Sequence, residues 1–316
     1  MCMKNTKQRT AFFGTWAAGL AASLLIMGLL TACPNAAGGG NNSDGEIVSY
    51  TEVPYGDLAD YLAAASSDVN YIEIMGAIPK GDFKGTFDGS NREPGELGKK
   101  IKNAAPKKVA LKLPSEVAEL TDMSWCFAGC TNLVSVANIP EPVTNLLECF
   151  VGCTSLTQAP VIPPTVESIM GTFSSCTSLT QAPEIPSSVT LMWGAFADCT
   201  SLTKAPIIPS SVTNMLATFA GCTKLTQGPD IPGSVTHLGE CFSDCSALKG
   251  VKLSCNYSDM PELAFKDVFK NCTALEKGGI KVMVGQYKKY TASAALIKMA
   301  VPGEDDETRK AKFSKF

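Results

Sequence analysis

The chain is poor in histidine, arginine and tryptophan. Its 316 residues include a single histidine, His237, and three arginines, Arg9, Arg92 and Arg309. So few guanidinium groups, with a net charge of −3, argue against nucleic acid, whose phosphates need dense Lys/Arg. Structural zinc needs four converging N/S ligands, and one histidine adds almost nothing to the cysteines. No Gly-rich loop follows a strand and no paired carboxylates stand out, so no cofactor is expected. Trp125 and Trp193 are too scattered for a strong sugar platform.

Cysteine is plentiful, at 13 residues, but its spacing is not that of a stapled small domain. The spacing is a repeat. A 23-residue unit recurs six times between Asp122 and Asp259. Its columns are Phe127, Phe150, Phe173, Phe196, Phe219, Phe242; Cys130, Cys153, Cys176, Cys199, Cys222, Cys245; and Leu133, Leu156, Leu179, Leu202, Leu225, Leu248. A fixed period of this size marks a solenoid, in which each unit contacts only its neighbours.

Within a unit, Val189, Met192 and Phe196 are spaced by 3 and 4, which fits a strand entering a short helical turn, or one short helix. The segment Leu179–Pro186 must be extended, because proline cannot continue a helix and biases its predecessor to β or polyproline II. Proline also removes a ladder donor, so short, interrupted strands are expected, with the Phe, Leu, Ile and Val columns forming continuous buried rows. The sixth unit decays: Ser254-Cys255 replaces Ile-Pro, and Phe269 and Cys272 follow after 27 residues rather than 23. Residues 248–280 read as an irregular last turn.

Ahead of the repeats, Leu58, Tyr61, Leu62 and Ala65 share a helical face, giving a helix over 57–66 with Asp57 as a candidate N-cap. Residues 69–76 and 107–114 alternate as strands, 80–95 read as loop, and 94–104 as a second short helix. Leu113-Pro114-Ser115-Glu116-Val117 copies the second half of a repeat, so the solenoid begins near 107 and 46–106 is an α+β cap that covers its first edge. Residues 286–299 are helix-like and suited to close the far end; the charged tail 304–316 reads as mobile.

The N-terminus has a positive start (Lys4, Lys7, Arg9), an apolar run over 11–30 and small residues ahead of Cys33, the pattern of a secretory signal over 1–32. Leu30-Thr31-Ala32-Cys33 resembles the lipobox of bacterial lipoproteins, which implies cleavage before Cys33, acylation there and membrane attachment. The alternative is an uncleaved transmembrane anchor, since 20 apolar residues span a bilayer. Either way the bulk of the chain lies outside the cytoplasm. Residues 33–45, rich in Gly and Asn, read as a flexible tether.

The unit Asp122-Met123-Ser124-Trp125-Cys126-Phe127-Ala128-Gly129-Cys130-Thr131-Asn132-Leu133 and its successors resemble the BspA-like leucine-rich repeats of bacterial surface proteins, including the treponemal 23-residue type, over about 107–275. Here a proline (Pro160, Pro183, Pro206, Pro229) precedes the Ile-Pro pair, which itself sits one residue later than in the commoner pattern. The resemblance implies a curved α/β repeat solenoid, a right-handed stack of short parallel strands and short helical turns over 107–280, with 281–316 as the C-terminal cap. It also implies a cell-surface role in attachment to host proteins or other cells, with a protein partner; an enzyme is the remaining alternative but is not expected, since only His237 and the cysteines stand behind it.

The Cys column reads first as a ladder of small buried side chains. Cys126, Cys149 and Cys241 are extra, and Cys126–Cys149 is the pair best suited to a cross-repeat disulfide, although stacked parallel Cβ vectors give poor torsion. His237, four residues before Cys241, raises a Cys–His nucleophile pair; its column otherwise holds Asp122, Asn145, Ser168, Leu191 and Asn214, which points to a surface position. The candidate binding face is a polar ladder: Thr157-Gln158, Thr180-Gln181, Thr203-Lys204 and Thr226-Gln227. With ten acidic residues against four lysines between 122 and 259, that region is neutral to mildly acidic. The competing functions are protein recognition, and glycan binding or a purely structural envelope role.

Overall fold

The computed structural model describes residues 40–41, 47–257 and 264–316, all within one compact unit, Gly39–Phe316. The expected signal 1–32, Cys33 and all of the tether except Gly40–Asn41 lie outside the described residues. β1 (Gly40–Asn41) pairs antiparallel with β2 (Ile47–Val48).

The segment before the repeats builds the first layers of the stack. In chain order it forms β3 (Thr51–Pro54), α1 (Leu58–Ala64), β4 (Val69–Met75), β5 (Thr86–Phe87), β6 (Arg92–Glu93), α2 (Glu96–Asn103), β7 (Lys108–Lys112) and β8 (Leu133–Val136). β3, β4, β7 and β8 make one all-parallel sheet in that order, with Ile72 beside Leu111. Alternation holds in β4, where Ile72 and Ile74 are buried. In β7, however, Ala110 is buried along with Val109 and Leu111, so only the half-exposed Lys108 and Lys112 at its ends reach water on the second face. Helix α1 buries Leu58 and Leu62, and Lys107 Nζ donates to the carbonyls of Leu62 and Ala63 at 2.7 and 2.6 Å, closing its C-terminus. Asp57 does occupy the N-cap position, but it ends a 3-10 turn at helical φ/ψ and makes no side-chain cap bond. The stretch 80–95, expected as loop, contains a 3-10 turn over Lys80–Phe83 that buries Phe83, and the β5–β6 hairpin. Asn132 ties α2 to the first repeat by donating to Ile101 O at 2.8 Å.

Each repeat then runs through three segments. The first, such as Leu156–Pro163, is extended. Its prolines remove donors, so the middle coils meet there at isolated parallel bridges, Ser135 with Gln158, Asn138 with Val161 and Gln181 with Lys204. Strands recover where proline is absent, in β8 and again in β10 (Gly250–Leu253). β9 (Gln227–Ile231) pairs with β10 across a register shift opposite Pro229, where a bulge absorbs the missing donor.

The second segment begins with a turn from Ile-Pro to Val: Val166 N donates to Pro163 O at 3.1 Å, Val189 N to Pro186 O at 3.1 Å and Val212 N to Pro209 O at 3.1 Å. The corner hydroxyls clamp it to the coil below, Ser188 to Val166 O at 2.6 Å and Ser211 to Val189 O at 2.7 Å. A single-bridge ladder follows, running Asp122, Asn145, Ser168, Leu191, Asn214, His237.

The third segment, carrying Phe, is a run of tandem turns and not a helix. Alternate N–H groups bond within the coil and across it. Cys149 N and Val151 N donate three residues back, to Leu146 O and Glu148 O, while Glu148 N and Phe150 N donate to Met170 O and Thr172 O of the next coil. Two columns take left-handed φ to achieve this. One reads Gly129, Gly152, Ser175, Asp198, Gly221, Asp244, Asn271; the other reads Trp125, Glu148, Gly171, Gly194, Ala217, Glu240, Asp267. The first is mostly Gly, Asp and Asn, which tolerate this region, whereas the second also places Trp125, Glu148, Ala217 and Glu240 there.

The Phe rings stack through the whole solenoid. Centroids lie 5.4 Å apart at Phe127–Phe150 and 6.0 Å apart at Phe242–Phe269, with planes within 13°. The four-residue insertion after the sixth unit therefore leaves the stack intact, and the last turn is regular on its Phe side.

At the far end β11 (Ile280–Val282), α3 (Tyr287–Tyr290), α4 (Ser293–Lys298), α5 (Asp306–Lys310) and β12 (Phe313–Lys315) close the core. Tyr290 is fully buried and donates to Cys255 O at 3.0 Å. The tail expected to be mobile is folded. Asp305 forms a capping box with Thr308, and β12 pairs in parallel with β11, completing the sheet β12-β11-β10-β9.

Candidate interaction faces and the cysteine column

The polar ladder lies on the extended segment. Thr157, Gln158, Thr180, Gln181, Thr203, Lys204, Thr226 and Gln227 are all exposed. Part of this row is structural: the hydroxyls of Thr157 and Thr203 donate to Val134 O at 3.3 Å and Thr180 O at 3.2 Å in the preceding coil. Gln181 and Lys204 instead line a groove of about 700 Å³, together with Ala182, Pro183, Ala205 and Pro206. Apolar side chains project beside the ladder, with Ile207 90% and Val161 73% exposed. They alternate along the stack with Glu184 and Asp230, so the face mixes apolar knobs, carboxylates and amides. The sequence pattern had marked only the polar half of it.

The eleven cysteines from Cys126 to Cys272 are buried free thiols. In the main column the thiols from Cys153 onward donate to the carbonyl of the Phe one coil back, Cys153 to Phe127 O at 3.1 Å, Cys176 to Phe150 O at 3.2 Å and Cys199 to Phe173 O at 3.1 Å, while Cys130 donates to Gly98 O at 3.3 Å. The extra cysteines share a second buried column with Thr172, Ala195 and Thr218, and the threonines there make the same inter-coil bond, Thr172 to Leu146 O at 2.7 Å and Thr218 to Met192 O at 2.9 Å. The Cys126–Cys149 disulfide is not formed. Cys126 and Cys149 are buried free thiols, in a column that elsewhere holds Thr or Ala. Burial pushes the thiols of the main column up, Cys199 and Cys245 to about 12.

His237 and Cys241 are not brought together. His237 sits on the bridge ladder with Nδ1 3.0 Å from Thr236 Oγ1, whereas Cys241 is fully buried with its thiol held well above the ordinary range by desolvation. Such a thiol gives no nucleophile. Among the described residues no group of three or more His, Cys, Asp or Glu is placed to hold a metal ion, and no helix is long and apolar enough to cross a membrane.

A cluster on the turn side was not foreseen. Phe87 of the β5–β6 hairpin stacks on Trp125 at 6.1 Å, Arg92 lies over Phe87 at 5.3 Å, and Arg92 forms a two-point ion pair with Glu148. Trp193 stands two coils further on, 48% exposed. Arg92 and Glu148 are 56 residues apart in sequence, so no local spacing signalled their meeting.

Stacked parallel coils with Leu, Phe and Cys columns define a leucine-rich-repeat solenoid. The family model for the BspA type Leucine rich repeat region matches in six copies, over residues 106–226 and 171–291. The chain belongs to this BspA-type leucine-rich-repeat family. Leucine-rich-repeat domains of this kind generally mediate protein–protein interaction and are generally non-enzymatic, and BspA-like proteins are typically bacterial surface proteins. Among solved structures, the leucine rich repeat protein of T. pallidum is similar at 23% identity and a TM-score of 0.45, covering 63% of this chain and 91% of that one. A leucine-rich repeat protein from Bacteroides ovatus is similar at 19% identity and a TM-score of 0.37, covering 65% and 76%. None of the curated proteins compared matches the chain.

Proposed function

We propose that the chain is a lipid-anchored cell-surface interaction protein that binds a protein partner, a host or bacterial surface molecule, through its extended-segment face. In this reading residues 1–32 are a signal peptide, Cys33 carries the lipid and 33–45 form the tether. Residues 46–106 cap the solenoid of 107–280, and 281–316 close its other end. Two acyl signals or more on Cys33 give stable attachment, which a single chain does not.

The observation that carries the binding face is the exposure of Ile207 and Val161 beside the groove lined by Gln181 and Lys204. Large apolar side chains ringed by polar groups are the ordinary composition of a protein interface, with apolar anchors supplying affinity and the amides register. Glu184, between the apolar knobs Val161 and Ile207, favours a partner segment that sets a basic residue among apolar ones.

The test uses the full chain. A partner is captured from matrix, serum or bacterial-surface proteins, identified, and its affinity measured. Changing Thr157, Gln158, Thr180, Gln181, Thr203, Lys204, Thr226 and Gln227 to Ala, with Ile207→Asp, weakens that affinity by about tenfold or more. Full affinity in a folded variant removes this face.

A further inference from the structure

The turn side of the solenoid carries a hollow of about 260 Å³ that is separate from the ladder face. Gly171, Gly194, Met170, Ser174, Trp193 and the Arg92–Glu148 pair all line it. Its polar rim is held rigidly. Glu148 accepts from Arg92 Nε, from Arg92 Nη2 at 3.1 Å and from Trp125 Nε1 at 3.2 Å, and the guanidinium rests on the Phe87 ring.

These bonds leave a specific remainder. A guanidinium has five N–H donors and a carboxylate about four acceptor sites, so Arg92 keeps three donors and Glu148 about one acceptor site. A donor and an acceptor therefore sit side by side, which is the complement of two adjacent hydroxyls. The ion pair is neutral as a unit, so it favours a neutral polyol over an anion. The exposed indole of Trp193 offers the electron-rich face on which the C–H bonds of a sugar ring pack. Above Gly194 nothing lies within 4 Å of where a Cβ would stand, so a ring can approach the backbone there, while the Glu148 side chain covers Gly171.

We infer that the chain has a second recognition site, for a single neutral sugar ring, stacked on Trp193 with adjacent hydroxyls fixed by Arg92 and Glu148.

The experiment titrates the full chain with methyl α-glucoside, methyl β-galactoside, methyl α-mannoside and N-acetylglucosamine, followed by tryptophan fluorescence and calorimetry. At least one sugar binds saturably in the millimolar range, as expected for one ring. Trp193→Ala and Trp193→Gln each weaken it by about tenfold or more, and Arg92→Lys, which loses the planar fork, weakens it similarly. The variant lacking the Thr-Gln ladder binds the sugar as the wild type does, which keeps this site distinct from the protein-binding face. Absence of saturable binding to every sugar overturns the inference. So does undiminished binding by either folded Trp193 variant, or displacement of the sugar by equimolar acetate or phosphate.

Discussion

Cys176 donates its thiol proton to the carbonyl oxygen of Phe150 in the coil before it, at 3.2 Å, and the same carbonyl accepts Cys153 N at 3.0 Å. The Cys column thus satisfies the second lone pair of a buried carbonyl at every level. Cys176→Ala removes both the sulfur and the donor, and is expected to cost about 1–3 kcal/mol in equilibrium unfolding. Cys176→Ser keeps a donor. It is expected to be no less stable than the alanine variant, and a serine variant clearly below alanine would mean that only apolar volume matters at this position.

The same burial predicts alkaline sensitivity. Desolvation raises Cys199 and Cys245 from 9.0 to about 12. The unfolded chain releases these protons above pH 9.0 while the folded chain holds them, so their contribution is intact below pH 9.0 and is lost as pH rises toward about 12. Denaturation midpoints should fall across that window, and more shallowly in Cys199→Ala. An identical slope in that variant would rule the thiol out. At neutral pH a thiol reagent should leave the eleven cysteines from Cys126 to Cys272 unmodified until the protein is unfolded.

Ala217 holds a φ of 51° in a column where Gly171 and Gly194 do the same. Ala217→Gly should stabilise the protein by up to about 1 kcal/mol, since relief of the left-handed strain exceeds the added freedom of the unfolded chain. Gly152→Ala should act in the opposite sense, by about 1–2 kcal/mol, because φ is 70° there although the Cβ meets nothing closer than 3.7 Å. Chemical denaturation of both variants checks the pair, and equal signs would contradict the assignment of strain.

The C-terminal strand has a measurable role. β12 covers the edge of β11 and buries Phe313 against Tyr290, with ring centroids 6.4 Å apart. Deleting residues 304–316 leaves that edge open to pairing with another chain. Sedimentation should show self-association in the deleted form beyond that of the full chain. A truncated protein no more associated than the full chain would mean the edge is protected by something else.

Much of this arrangement could be read from residue spacing. The Phe, Cys and Leu columns recur at a strict interval, and each is buried where that regularity requires. The prolines likewise signalled interrupted strands, because a missing N–H acts locally. Of the two readings open for Val189, Met192 and Phe196, the single short helix did not form, since tandem turns after a one-residue bridge bury residues at the same spacings of 3 and 4 and send every other N–H to the next coil. The glycines, Asp198 and Asn271 ahead of the cysteines hinted at left-handed turns, but nothing in the identities of Trp125, Glu148 or Ala217 did. The ladder residues were legible as exposed, whereas Ile207 and Val161 were hidden among apolar neighbours expected to be inside. The Arg92–Glu148–Trp193 hollow is assembled from separate coils and a hairpin, so it exists only once the chain is folded.

The alternation of N–H bonds, within one coil and then up to the next, makes every level of the solenoid the same joint. Removing or duplicating one 23-residue block leaves each donor facing an equivalent acceptor, so the body can be lengthened or shortened in whole steps of about 4.8 Å. The protein is in effect graduated: the reach of its outer faces is a count of units, and an inserted copy would change the span offered to a partner without asking the rest of the fold to adapt.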